Sequence, residues 1–282
     1  FVDILGMPVA GAGLAKSVTD LCAAALLFLY IRYAGICQET WIPWTKECLE
    51  NWGGHLKQTL MLGATTYVEW MAYEVSMFII GALNDPFIMG AHGIAVNFTT
   101  LIFYISLGTS LSMQTYIGNA IGEGYKYKVQ KIMAGGLVLN LFITVFSVIT
   151  MLVFNKQIAM FFISDENSRQ ALQNMLLIYA LAHIADSYAN CLGGVLRVVG
   201  KEKEVLTAFL VCYLALGVNG QWIFGLLLGY GYIAIWLCTA GAIFLMCGVV
   251  VHKVWTLNWN EEIERVKRSL DEETYAETQD YI

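Results

Sequence analysis

Seven long apolar stretches constrain this 282-residue chain more than any other feature. They run over about 10–34, 59–83, 91–115, 132–154, 172–196, 205–228 and 231–254. Each is long enough to cross the hydrocarbon core of a bilayer, which takes roughly 20 residues as a helix. Backbone groups cannot stay unpaired in lipid, and none of the runs shows the strict two-residue alternation of a barrel strand, so helices are the physical choice. With 58% hydrophobic and 13% charged residues, the chain carries more apolar mass than a soluble domain needs. The expected fold is all-α, a polytopic membrane helix bundle with about seven transmembrane helices.

The formal charge of −6 comes mainly from the tail after Trp259 and suggests no nucleic-acid partner. The seven cysteines contain no CxxC pair, and five of them fall inside apolar runs, where they read as small hydrophobes. Phe1 is followed by neither a charged n-region nor a small-residue cleavage site, so no signal peptide is visible, and the chain is expected to be a fragment. Between the first two spans, Trp41, Trp44, Leu49 and Trp52 alternate with Glu39, Lys46, Glu47 and Glu50. That pattern suits an interfacial amphipathic linker or a loop packed on protein.

Orientation follows from Lys and Arg. With Phe1 outside, thirteen of them collect on one side, from Arg32 to Arg268, while only Lys156 and Arg169 fall on the other. This positive-inside bias places the C-terminal tail in the cytosol.

Few ionisable groups lie inside the spans: Lys16 and Asp20 in the first, Glu69 and Glu74 in the second, His183 and Asp186 in the fifth. Each costs a few kcal/mol at a helix centre on insertion scales, so each needs a partner or a wet cavity. Lys16 and Asp20 are i, i+4 neighbours that can neutralise one another. Glu69 lies near the middle of its span and shares a helical face with Ala72, Tyr73 and Ser76, whereas Glu74, five residues on, points roughly 140° away. Either glutamate can be an interhelical hydrogen-bonding group or an exchanging carboxylate. Asp186 shares a face with Tyr179, His183 and Asn190, making a polar stripe in which His183 is a structural donor or part of a proton-linked pair. Tyr67, Trp70 and Tyr73 offer cation–π surface or ordinary packing.

Asn97-Phe98-Thr99 matches a glycosylation sequon, yet it sits inside a span and out of reach of the modifying enzyme. Gly118-Asn-Ala-Ile-Gly122 and Gly225-Leu-Leu-Leu-Gly229 have the spacing of close helix packing. Spacing alone recommends no phosphate loop, metal cluster, cofactor or nucleophile–base pair, so an enzyme is not expected.

Several ordered motifs look familiar. Val68-Glu-Trp-Met-Ala-Tyr-Glu-Val75, followed by Gly81 and Asn84-Asp-Pro86, resembles the opening helix of the C-terminal lobe of eukaryotic MATE (multidrug and toxic compound extrusion) transporters. Asn97-Phe-Thr-Thr100, Gly118-Asn-Ala-Ile-Gly-Glu-Gly124, Gly193-Gly-Val-Leu-Arg-Val-Val-Gly200 and Leu257-Asn-Trp259 are similar to later landmarks of that lobe, and Gly11-Ala-Gly-Leu-Ala15 to the helix before it. The likeness extends to about residue 268. It departs from the family at Ser106 and Asn219, where Pro is frequent, at Tyr116 in place of Arg, and at Val198 and Val199 in place of small residues. The proline losses are expected to straighten helices that would otherwise bend.

The resemblance implies a two-lobed, twelve-helix transporter of which this chain supplies the last helix of the N-terminal lobe (1–34), a cytosolic linker (35–58), the C-terminal six-helix lobe (59–254) and a cytosolic tail (255–282). Five helices are expected to precede Phe1. It further implies multidrug or organic-cation efflux by proton antiport, with Na+ the other candidate ion and the lipid bilayer as surroundings. Glu69 matches the family's exchanging glutamate, Glu74 a second acidic position, and Asp186 a site where Glu is common. Trp70, Tyr73, Asn97 and His183 complete the expected proton- and substrate-binding set, in a multi-pass protein of the plasma membrane or an endomembrane. The competing reading is a non-transporting structural subunit of a membrane assembly, derived from such a transporter.

Overall fold

The computed structural model describes residues 6–35, 45–49, 52–266 and 268, and among these the regular structure is helical. Two compact units divide between His55 and Leu56. The first holds α1 (Pro8–Ala34), which Pro8 opens and Gly35, at φ 65°, closes in the left-handed conformation. Its Leu21, Leu26, Leu27 and Phe28 are exposed. Lys16 and Asp20 pair at 2.6 Å, so the two charges of this span neutralise each other on one face.

Trp41 and Trp44 of the expected linker lie outside the described residues. Lys46–Leu49 forms one 3-10 turn, and α2 (Trp52–Gly81) begins earlier than hydropathy suggests, so residues 52–58 are helical. The remaining elements are α3 (Pro86–Glu123), α4 (Lys126–Val153), the short α5 (Asn155–Phe162), α6 (Glu166–Val198), α7 (Glu202–Leu227) and α8 (Gly231–Trp255). Local chemistry sets their ends. The Asp85 carboxylate accepts from the Phe87 and Ile88 amides at 2.9 and 3.2 Å ahead of Pro86, and Gly124 stops α3 at φ 79°. Asp165 caps α6 by accepting from the Ser168 amide at 2.9 Å. These donated hydrogen bonds, the Ser168 amide foremost, hold the Asp165 carboxyl below the usual carboxylate range.

Six helices among the described residues are long and apolar enough to cross a membrane. The seventh expected span, α2, has the length at 30 residues, while Thr65, Thr66, Glu69 and Glu74 dilute its hydropathy. Of the six, α6 is the least apolar and the most enclosed, with 72% of its apolar window buried against 39% or less in any other. Asn, Asp, His and Ser side chains are costly against lipid, so the helix that carries them takes the centre, flanked by α3, α4 and α8. Ser187 on α6 joins Asn140 and Thr144 of α4 at 3.2 and 3.0 Å, a buried polar link between helices.

The proline-poor sequence suggests a straight α7, and in the structure its hydrogen bonding is irregular. After Glu202–Phe209 the backbone widens into i→i+5 hydrogen bonding over Leu210–Val218 and Gln221–Leu227. Asn219, where the family often has Pro, donates from its side chain to the Leu214 and Ala215 carbonyls at 3.4 and 2.8 Å, so a polar side chain engages the backbone in place of a proline ring.

At one end of the bundle, Trp259 and Ile263 from the helical segment 259–266 are buried against the core. There Lys201 bonds Glu262 at 2.9 Å, and Arg265 pairs with Glu262 at 2.6 Å and donates to the Val199 carbonyl. The Glu262 carboxylate, by accepting from Lys201, holds the ammonium protonated above the ordinary lysine range. A raised lysine pKa gives stabilisation that is complete below the unfolded value and lost as pH rises through the folded one. Lys201→Met is therefore expected to lower stability by under about 1 kcal/mol, screening included. Thermal melts at pH 7 should show the loss, and the difference should close as pH rises through and beyond the ordinary lysine range.

Candidate functional site

A cavity of about 250 Å3 opens between α2, α3, α6 and α8. From α2 it takes Trp70, Tyr73, Glu74, Ser76 and Met77, from α3 His92, Val96, Asn97 and Phe103, from α6 Tyr179 and Asp186, and from α8 Trp236 and Thr239. The α2 residues follow helical spacing, so one face of α2 forms a wall.

Most polar groups on this wall are held by their own helices. Ser76 Oγ donates to the Ala72 carbonyl at 2.8 Å, Asn97 Nδ2 to Gly93 at 2.8 Å, and Thr239 Oγ1 to Ile235 at 3.0 Å. Asn97 thereby keeps its amide oxygen as an acceptor. Asp186 is 5% exposed and accepts from the Tyr179 hydroxyl at 2.9 Å, a charge-assisted bond that fixes the carboxylate against the cavity. Glu74 is exposed on the α2 wall, and Trp70 and Tyr73 stand beside it with ring centroids 6.5 Å apart. A cation entering here meets two carboxylates and two aromatic rings in an apolar enclosure, where charges attract more strongly than in water.

The remaining expected residues separate. The backbone of Glu69 is helical within α2, and its side chain lies outside the described residues. Tyr67 is 68% exposed and does not line the cavity. His183 does not line it either: the imidazole is fully buried, its ring 5.3 Å from that of Tyr179. At i+4 from Tyr179 and i−3 from Asp186 it sits in the stripe read from spacing, but the tyrosine ring takes the cavity side. Asn190 also stays off the cavity, and its carbonyl accepts from Ser110 at 3.2 Å.

Sequence reasoning passed over His92, Trp236 and Thr239. His92 is the second residue of its predicted span and Trp236 lies near the start of another, so both read as span-end residues. In the fold they enter the cavity wall because α2–α3 and α7–α8 connect through very short turns. Among the described residues no three His, Cys, Asp or Glu side chains converge as a metal site.

The small-residue motifs also divide. A Cβ on Gly225 would strike Ile235 of α8, which marks close packing, while Gly229 holds φ 72° with open space around it and serves the turn. A Cβ on Gly118 would meet Val198 at an ordinary 3.8 Å, and one on Gly122 would meet nothing.

Membrane-length helices around a carboxylate-bearing internal cavity define a multi-pass α-helical membrane protein. The chain belongs to the MatE family, whose model matches residues 62–223. It is 25% identical over 262 residues to multidrug and toxin extrusion protein 1 of Danio rerio, covering 93% of this chain and 44% of that protein. The protein of the same name from Oryctolagus cuniculus is 28% identical over 264 residues, covering 91% and 46%. The crystal structure of the eukaryotic MATE transporter AtDTX14 superposes with a TM-score of 0.83 at 16% identity, over 95% of this chain and 60% of that one. The chain thus spans a little under half the length of the curated relatives it matches.

Proposed function

We propose that this chain is the C-terminal lobe, with the preceding helix, of a secondary antiporter that exports organic cations in exchange for protons. The observation that carries the reading is that Glu74 of α2 and Asp186 of α6 line one cavity. A bound cation requires the carboxylates ionised, and protonation discharges it, so proton and substrate compete for the same charge. That competition is the exchange. Glu69 is the main exchanging carboxylate in this reading, with Glu74 and Asp186 beside it. Trp70 and Tyr73 give cation–π surface, Asn97 an acceptor, and His183 supports Tyr179 from behind.

Residues 1–34 then form the last helix of the first lobe, 35–58 the linker, 59–254 the second lobe and 255–282 a cytosolic tail, as the Lys and Arg distribution favours. The name of the relatives, multidrug and toxin extrusion, supports the substrate class.

The test is uptake of a fluorescent organic cation by proteoliposomes holding the full-length polypeptide. An inside-acid pH gradient should drive accumulation that a protonophore collapses. Accumulation driven by a sodium gradient alone would replace the proton by Na+. No movement under either gradient would sink the reading and leave the structural-subunit role.

A further inference from the structure

The cavity has a second polar feature, separate from its carboxylates. His92 is 3% exposed and Trp236 6%, and their rings meet edge to face with centroids 5.5 Å apart. Neither His92 nitrogen nor the Trp236 Nε1–H has a hydrogen-bond partner among the described residues, although both side chains line the cavity. Two polar neighbours on the wall are bonded: Thr239 both donates to Ile235 and accepts from Gln221 at 3.0 Å, and Tyr179 donates to Asp186. A buried donor without a partner costs about 1–3 kcal/mol, and two such groups in contact are unusual unless something supplies the missing bonds.

Their position relative to the carboxylates is fixed by the bundle. A Cβ on Gly93 would meet the Met77 methyl at 3.9 Å, so the turn of α3 that carries His92 lies within side-chain reach of Met77. Met77 is three residues beyond Glu74, about 4.5 Å along the helix axis. Glu74, Asp186, His92 and Trp236 line the same cavity, so one bound molecule can meet both the carboxylates and these two rings. Trp236 can only donate, and a neutral imidazole donates from one nitrogen. The nitrogens are shielded from bulk water while the side chains that carry them line the cavity.

We propose that His92 and Trp236 form an acceptor-recognition subsite, selecting organic cations that carry a neutral oxygen such as an ether or carbonyl a few bonds from the charged nitrogen. The inference rests on the organic-cation reading of the cavity. A site built from donors rejects an isostere lacking the acceptor because its own buried groups then stay unpaired.

Two isosteric probes test it in full-length proteoliposomes: (2-methoxyethyl)triethylammonium and butyltriethylammonium, which differ by an oxygen in place of a methylene. The wild-type protein should bind the ether about tenfold more tightly, the equivalent of one hydrogen bond. Trp236→Phe and His92→Leu, which remove the N–H donors, should each shrink that ratio while affinity for the butyl compound is retained. The retained affinity reports that the variant is folded. Equal loss of both cations in a variant, or an unchanged ratio, would overturn the subsite. Should neither variant fold, the wild-type ratio decides, and a value of one or below overturns it. Failure of wild-type protein to bind either cation would instead strike at the organic-cation reading.

Discussion

Asp186→Asn is expected to reduce cation exchange by about two orders of magnitude while the bundle remains folded. An amide cannot ionise, so it neither holds a cation nor trades a proton, and losing one partner of a desolvated charge contact costs about 2–5 kcal/mol. The amide oxygen still accepts from the Tyr179 hydroxyl, which spans 2.9 Å in the wild-type protein, so packing around α6 is kept. Tyr179→Phe provides the graded comparison. It leaves the charge and removes a bond worth about 1.5–3 kcal/mol, so exchange should fall by less. Both variants are read as initial rates of pH-driven cation uptake, with thermal melts as the folding control. Wild-type exchange by Asp186→Asn would remove this carboxylate from the mechanism.

The second large effect is on stability. A Cβ at Gly225 collides with Ile235 Cγ1, and Ile235 is 1% exposed within a cluster that includes Ile79 and Ile80. At Gly217 the added carbon would stand 3.0 Å from the Ala242 Cβ and 3.2 Å from the Cys212 carbonyl. Neither neighbour is the free end of a flexible side chain. Gly225→Ala is expected to destabilise by about 1–3 kcal/mol despite alanine's better helix propensity, and Gly225→Val by more. The control is a double-mutant cycle with Ile235→Ala. Alone, that substitution leaves a cavity costing about 2–5 kcal/mol, and in the Gly225→Ala background it should cost less, because the added methyl occupies part of the space. Additive melting shifts would show that α7 and α8 do not meet here as described.

The family membership and the spans were legible because each rests on local information. Hydropathy reports lipid exposure residue by residue, and seven apolar runs translate into helices whatever their order in space. The Lys16–Asp20 pair was legible for the same reason, since i, i+4 spacing on one helix already brings the charges together. The partners of Asp186 were half legible. Spacing placed Tyr179 and His183 on its face, but only packing showed that the tyrosine takes the cavity side and the histidine stands behind it.

Glu74 illustrates the opposite case. Its 140° offset from Glu69 said that the two glutamates look in different directions, and nothing in a single helix says which direction holds a cavity. The α3, α6 and α8 walls answer that for Glu74, by surrounding the α2 face that carries Trp70, Tyr73 and Met77. His92 and Trp236 are 144 positions apart in the chain, so no window of sequence joins them. The irregular course of α7 was equally hidden. A missing proline says nothing of hydrogen-bond register, and the widened turns lie where Gly217, Gly220 and Gly225 bring the backbone close to α8.

Sequence alone determined that the chain is a bundle of membrane helices and which residues can carry charge inside it. These follow from the cost of putting polar groups into hydrocarbon, a cost paid locally and therefore written locally. Tertiary structure alone decided which of those groups share a space: Asp186 with Glu74, Tyr179 in front of His183, and His92 against Trp236. Such meetings depend on how helices distant in sequence rotate and pack, and a helix's own periodicity holds no record of its neighbours.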